Sequence, residues 1–162
     1  MSRFLFTFAI LFLAWLGFTT SFNPQELIVG AVLSLIIASL SFKAFTDYGL
    51  SFFHPKKLLN IVKYIFVFLI ALIKSNFDVA RRVINPKLPI NPGIVTYKTK
   101  LKSDTAKVFL ANSITLTPGT LTVDVIGDEL FIHWIDVVSE DPEVIFNEIG
   151  ANFERILKEI FK

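Results

Sequence analysis

The chain has 162 residues, a net charge of +2 and 53% hydrophobic residues, and its mean hydropathy of +0.61 is too high for a soluble globular protein. It contains no cysteine, which excludes disulfides, thiolate catalysis and iron–sulfur ligation by this chain. The small net charge, without a basic run interleaved with aromatics, argues against a nucleic-acid partner. Thirteen of the 18 phenylalanines precede residue 78, so the hydrophobicity is concentrated in the first half.

Two uncharged segments open the chain and predict a membrane-embedded helical hairpin. The first, 4–22, would span about 28 Å as a helix, close to the thickness of the hydrocarbon core. A cleaved signal peptide is the alternative, but no A-x-A-like site follows the apolar run. The second segment, 27–42, would span only about 24 Å. Asn23 and Pro24 between them are typical of a helix start.

A third apolar segment, 58–77, is interrupted by two lysines. Lys63 and Lys74 lie near its two ends, and Asp78 follows Lys74 at the i,i+4 spacing of a helical ion pair. Ionisable residues within a membrane segment are candidates for an ion path. Lysines near helix ends also extend their stems to the headgroups as anchors. The sequence leaves both interpretations open.

The basic residues do not fix the membrane orientation. If all three segments crossed, Arg3, Lys43 and the pair 56–57 would share one side, and the basic residues of 81–87 would lie on the other. The two sides are then nearly balanced under the positive-inside rule.

Small residues recur on the second segment at every fourth position, namely Gly30, Ser34 and Ala38. Such a stripe allows close helix contact within a membrane. We interpret it as a surface for the helices of partner subunits.

The remainder of the chain is predicted to form a small α+β domain. Three prolines in seven residues make 85–93 an extended linker between a membrane part, 1–84, and a domain, 94–162. The pattern of that domain predicts the order β-α-β-β-α. Ser103 would cap its first helix, and Asp141 would open its last.

The sequence also predicts two turns in this domain, the paired face of its hairpin and the buried face of its last helix. Thr117-Pro118-Gly119-Thr120 has the pattern of a type II turn, and Gly127-Asp128 that of a two-residue hairpin loop. The hairpin would pair one face of Leu121, Val123 and Val125 with Leu130, Ile132 and Trp134. The last helix would bury Ile145, Ile149, Phe153, Ile156 and Ile160, and expose Glu148, Glu154, Lys158 and Glu159.

No pattern of a catalytic or metal site is present. The chain lacks H-E-x-x-H, G-x-S-x-G, P-loop and dinucleotide-binding motifs, which predicts a non-catalytic protein without a cofactor. Asp124 and His133 could share a sheet face, but no nucleophile or metal set accompanies them. The stretch 110–120 is unusual, because it mixes hydroxyl and aliphatic side chains. It is either a structural turn or a contact surface, and its candidate residues are Asn112, Thr115, Thr117, Pro118, Gly119 and Thr120.

The same stretch carries a family resemblance. Leu110-Ala111-Asn112 followed by Ile114–Thr120 resembles the E-type subunit of the Mrp-type multisubunit sodium/proton antiporters. Pro86-Lys87-Leu88, Asn91–Ile94, Tyr97-Lys98-Thr99 and Ile132-His133 also match, so the similarity covers nearly the whole chain. Related modules occur in archaeal membrane-bound hydrogenases and sulfur-reducing complexes.

This resemblance implies an accessory or assembly subunit of a complex that exchanges Na⁺ for H⁺. Its partners would be the other subunits of a membrane antiporter or respiratory complex, and the lipid bilayer. The location implied is the plasma membrane of a prokaryote, with a cytoplasmic C-terminal domain. A membrane-tethered binding module without any role in ion transport is the alternative. The sequence does not decide between a stand-alone antiporter and a hydrogenase-type complex.

Overall fold

The computed structural model of the protein describes residues 2–45 and 54–162. The chain forms two compact units, Met1–Leu58 and Leu59–Lys162. Three helices of the described chain, beginning at Ser2, Pro24 and Pro55, are long and apolar enough to cross a membrane. The prediction of two or three apolar helices followed by a small α+β domain is confirmed, with three such helices among the described residues.

The first unit contains two antiparallel helices. Helix α1 is Ser2–Thr19 and α2 is Pro24–Phe45, equivalent to about 27 Å and 33 Å of helix. Asn23 caps α2, because its Oδ1 accepts the backbone N–H of Gln25 at 3.1 Å. The second helix is therefore longer than its uncharged stretch, which resolves the apparent shortness of the predicted span.

Close packing within this hairpin involves the small residues of α2. The indole of Trp15 lies directly over Gly30, where a side chain would collide with the ring, and its Nε1 donates to the carbonyl of Glu26 at 3.1 Å. Ser34 and Ala38 are buried within this unit. The interpretation of this stripe as a surface for partner subunits is therefore wrong, because α1 of the same chain occupies it.

The second unit contains the α+β domain and one long helix, except for the first four residues of that helix. Its elements are α3 (Pro55–Ile84), β1 (Gly93–Lys98), α4 (Asp104–Leu116), β2 (Thr120–Ile126), β3 (Glu129–Trp134), α5 (Pro142–Ile145), a π-helical turn (Phe146–Gly150) and α6 (Ala151–Ile160). The three strands are antiparallel in the order β1-β3-β2. The core lies between the inner face of this sheet and helices α4 and α6.

Helix α3 packs on this core, although the sequence placed it with the first two helices. Tyr64, Val67, Phe68 and Ala71 are partly buried against the core residues of the α+β domain. The ring of Phe153 lies 6.4 Å from the Tyr64 ring and 6.2 Å from the Phe68 ring. The helix and the domain are therefore parts of one compact unit.

Local turn and capping chemistry determines several boundaries as predicted. Ser103 caps α4 and Asp141 caps α5, each accepting a backbone N–H from the first helical turn. Gly119 has φ of +96° and Gly127 has φ of +62°, as the type II turn and the hairpin loop require.

The β2–β3 register differs from the predicted pairing. Thr122 pairs with Ile132 and Asp124 with Phe131, so Val123 forms a bulge. A bulge inserts one extra residue and reverses the alternation of faces beyond it. Consequently Thr122, and not Leu121 or Val123, shares the inner face with Ile132, whereas the predicted pair of Val125 with Leu130 is present.

The predicted division of the last helical segment into a buried and an exposed face is also wrong for one residue. The π-helical turn takes one more residue than an α-turn, and so it rotates the helix that follows. Glu154, predicted to be exposed, is only 4% exposed. Phe153, Ile156 and Ile160 are buried as predicted.

Candidate functional site

A cavity of about 800 Å³ lies within the second unit, between α3 and the α+β domain. It brings together two groups of predicted residues that are distant in sequence: Lys63, Lys74 and Asp78 from α3, and the turn Thr117–Thr120. The apolar wall includes Val67, Ile70, Ala71, Ile149, Phe153 and Ile156. Asn112 and Thr115 are not among the lining residues.

Arg82 is the polar centre at one end of this cavity. Its Nε donates to Asp78 Oδ2 at 2.7 Å, and its Nη1 donates to Asp136 Oδ2 at 2.7 Å and to the carbonyl of Pro89 at 2.8 Å. It thereby connects α3, the linker and the segment that follows β3. The i,i+4 partner of Asp78 is Arg82, and not Lys74 as predicted. Lys63 and Lys74 are both exposed.

The hydroxyls of the turn are used inside the domain. Thr120 Oγ1 donates to the carbonyl of Ile114 at 2.7 Å, and Thr117 Oγ1 donates to that of Ser113 at 2.8 Å. The backbone N–H of Thr120 donates to the carbonyl of Thr117 at 3.3 Å. These bonds join the end of α4 to the start of β2, so this half of the unusual stretch is structural.

The other half of the stretch faces outward. Thr115 is exposed, and its Oγ1 accepts the backbone N–H of Thr122 at 3.1 Å. Asn112 is exposed on α4, one helical turn from Val108 and one from Leu116, which are 57% and 60% exposed. Val108, Asn112 and Leu116 form the α4 outer stripe, an uncovered row of one polar and two apolar side chains.

The cavity combines charges of both signs with an apolar wall. Lys63, Lys74, Arg82 and Arg155 line it together with Asp78, Asp136 and Glu148. Over 2–45 and 54–162, no group of three metal-ligating side chains is close enough to hold an ion. The chemistry of this lining is suited to ion pairing and to packing of an amphipathic group.

A second polar centre is buried in the domain core. Glu154 Oε2 accepts from the phenol of Tyr97 and from Thr99 Oγ1, each at 2.8 Å, and Oε1 accepts the N–H of Lys100 at 2.8 Å. Burial, together with the Glu154 carboxylate, raises the pKa of Tyr97 far above its usual value. Three donors therefore stabilise one buried carboxylate, and the sheet is bonded to α6.

Sequence reasoning missed Arg82, Asp136 and Glu154. Arg82 and Asp136 are 54 positions apart and carry no joint motif. A weak signal existed for Glu154, because Gly150 precedes it and lies against the Tyr97 ring, where a Cβ would approach within 2.7 Å. A glycine inside an amphipathic helix is a sign of such a close approach.

Comparison with known proteins identifies the family. Residues 8–160 match the family described as "Na⁺/H⁺ ion antiporter subunit". The chain belongs to the family of E-type subunits of multisubunit Na⁺/H⁺ antiporters. It is 36% identical to the E1 subunit of the Na⁺/H⁺ antiporter of Staphylococcus aureus strain bovine RF122 / ET3-1 over 148 residues, which cover 90% of this chain and 89% of the relative. The E1 subunit of strain JH9 is 35% identical over the same lengths.

A solved structure is similar over nearly the full length. It is a chain of the membrane-bound sulfane sulfur reductase, an archaeal respiratory membrane complex. The two chains are 51% identical with a TM-score of 0.83, covering 99% of this chain and 100% of the other. The predicted family, including its respiratory relatives, is confirmed.

Proposed function

We propose that this chain is a non-catalytic assembly subunit of a multisubunit membrane cation/proton antiporter module. The observation that carries the proposal is that none of the three candidate membrane helices has a charged side chain in its central part: 4–22, 27–42 and 64–73 are uncharged. Proton-coupled transport requires titratable side chains at membrane depth. The ion path then belongs to partner subunits, and this chain supplies an anchor and a docking domain.

The α4 outer stripe is the contact we assign to a partner subunit. Its two aliphatic residues are largely exposed, and Asn112 between them offers both a donor and an acceptor. Apolar side chains around a polar group that fixes the register are typical of protein interfaces. This proposal retains the part of the 110–120 stretch that the domain itself does not use.

The respiratory setting is favoured over a stand-alone antiporter. The identity is 51% to the chain of the sulfane sulfur reductase complex but 36% to the antiporter E1 subunit of S. aureus. We therefore propose that the antiporter module containing this chain is driven by a redox complex, in the membrane of a prokaryotic cell. Co-purification of redox subunits with the tagged chain supports this setting, whereas recovery of antiporter subunits alone contradicts it.

Recovery of the complex tests the docking surface. Leu116→Asn should lower the amount of partner subunits recovered with the tagged chain, because it removes apolar contact area. The matched control is Ile126→Asn at the end of β2, since Ile126 is 62% exposed and Leu116 is 60% exposed. Equal recovery with both variants contradicts the docking role. A stable chain recovered without partners favours the tethered binding module instead.

A further inference from the structure

Helix α3 faces its own α+β domain along most of its length. Its partly buried residues recur every three or four positions from Ile61 to Arg82, and include Tyr64, Phe68, Ser75 and Val79. The Tyr64 hydroxyl is hydrogen-bonded to Ser113, and Arg82 is paired with Asp136. The contacts therefore begin in the third turn of the helix, at Tyr64, and continue almost to its end, at Arg82.

This packing is incompatible with a transmembrane α3. From Tyr64 to Arg82 the helix rises about 27 Å, nearly the thickness of the hydrocarbon core. A crossing α3 would hold the α+β domain beside it at hydrocarbon depth. Residues 94–162 contain eleven acidic and seven basic side chains, and charges at that depth are strongly unfavourable. The helix cannot both cross the bilayer and keep these contacts.

We propose that α3 lies in the plane of the membrane surface, with its outer face in the lipid and the α+β domain on its aqueous side. The outer face is a continuous apolar row, each member 45–74% exposed: Leu59, Val62, Phe66, Leu69, Ile73 and Phe77. On a wheel of 100° per residue this row is opposite the domain-facing row. Such a helix inserts its apolar face about 5–10 Å into the boundary of headgroups and acyl chains.

The charge of α3 is complementary to anionic lipid. The helix carries six basic side chains and one acidic side chain. Lys56, Lys63, Lys74 and Arg81 fall within about 20° of one another on the wheel, between the lipid-facing and domain-facing rows. Basic side chains at this level reach the lipid phosphates. Lys63 and Lys74 are then headgroup contacts, and not members of an ion path.

An in-plane α3 also fixes the orientation of the chain. Only α1 and α2 then cross, and two crossings return the chain to the side on which it began. Arg3, Lys43 and the basic residues of α3 share that side, whereas the loop at 20–23 carries no charge. The positive-inside rule then places this side in the cytoplasm. The near-equal division of basic residues between the two sides of the membrane assumed three crossings, and so it no longer applies.

Spin-label depth measurements in the reconstituted complex test the placement, and this chain contains no native cysteine, so it can be labelled at one chosen site before the complex is reconstituted. Labels at Leu59→Cys, Phe66→Cys and Phe77→Cys should report the same shallow depth, accessible to oxygen in the lipid. The control is Leu13→Cys, an exposed position within α1, which should report a deeper site. A depth profile that passes through the bilayer centre between 59 and 77 overturns the proposal. Shielding from both oxygen and a water-soluble relaxant also overturns it, because the face then docks on protein.

Sidedness gives an independent measurement on the same complex. His54 and Lys87 flank α3 and are both exposed. Cysteines at these two positions should react with a membrane-impermeant maleimide from the cytoplasmic side, and Phe22→Cys in the α1–α2 loop should react from the other. Reaction of the two flanking positions from opposite sides overturns the in-plane placement. None of these readouts requires antiport, so the proposed function can fail without affecting the result.

Discussion

The phenol of Tyr97 donates a hydrogen bond to Glu154 Oε2 across 2.8 Å, although 57 positions separate the two residues. Thr99 and the N–H of Lys100 also donate to this carboxylate. The bonded group connects the end of β1 to α6 in the middle of the core.

Removal of this carboxylate should strongly destabilise the domain. Glu154→Ala leaves three donors without their acceptor, and each buried unsatisfied donor costs about 1–3 kcal/mol. We expect a loss of about 3 kcal/mol or more in the free energy of unfolding, measured by urea-dependent proteolysis of the purified chain. Glu148→Ala, at an exposed position nearly two turns earlier, should change it by less than about 0.5 kcal/mol. Similar losses in both variants would contradict the role assigned to Glu154.

The raised pKa of Tyr97 predicts a specific behaviour at alkaline pH. The folded-state pKa exceeds the unfolded value of about 10. The stability that this shift contributes is therefore complete below about pH 10, and is lost as the pH rises through the folded-state value. In the folded chain, wild type and Tyr97→Phe should gain the same tyrosinate absorbance up to about pH 11. A smaller gain in Tyr97→Phe would show that Tyr97 titrates normally.

The two turn glycines should differ in their tolerance of a side chain. Gly119 has φ of +96°, and a Cβ there would lie 3.1 Å from Ile135. Gly119→Ala should therefore cost about 1–2 kcal/mol or more in the free energy of unfolding. Gly127 has φ of +62° with open space around it, so Gly127→Asn, which suits the left-handed region, should cost much less. The same proteolysis assay compares them, and an equal cost would refute the argument from the Gly119 environment.

The α1–α2 hairpin offers a matched pair of glycine substitutions. A side chain at Gly30 would collide with the Trp15 indole, whereas nothing lies within 4 Å of a Cβ at Gly17. Gly30→Leu should lower the yield of folded chain even when partner subunits are not expressed, and Gly17→Leu should not. A loss that depends on partner expression would restore the interpretation of the stripe as a subunit contact.

Neither Lys63 nor Lys74 of α3 should be required as a specific carrier of protons. We expect Lys63→Arg and Lys74→Arg, which keep the charge and reach the headgroups, to preserve antiport in the assembled complex. Lys74→Leu is the contrasting variant, because it removes the positive charge of Lys74 from the basic row and leaves every residue of the domain-facing row unchanged. Abolished transport in an assembled Lys74→Arg complex would instead assign this lysine to the ion path.

Features governed by neighbouring residues could be predicted from the sequence, and those governed by distant contacts could not. The caps at Ser103 and Asp141 and the turn at Gly119 depend on a few consecutive residues, and all three are present. The bulge at Val123 and the π-helical turn before Glu154 each insert one extra residue into a regular element, and a periodic pattern does not show where such an insertion falls.

The candidate site also combines features that the sequence predicts with features that depend on distant contacts. The pattern selected Lys63, Lys74 and the Thr117–Thr120 turn separately, but only the fold places them around one cavity. Arg82 connects that cavity to Asp136 through a contact 54 positions apart. Polar residues at such separations carry no common periodicity, and so sequence reasoning had no means of pairing them.

The aromatic contacts of α3 have a consequence for biosynthesis. Phe68 packs against Phe153, which is synthesised 85 residues later. At about 5–20 residues per second, α3 leaves the ribosome several seconds before its aromatic partner exists. During that interval both its outer row and its domain-facing aromatics lack a protein partner within the chain. On the in-plane placement proposed above, lipid covers the outer row during that interval, whereas the domain-facing aromatics stay without their partner until α6 has been synthesised.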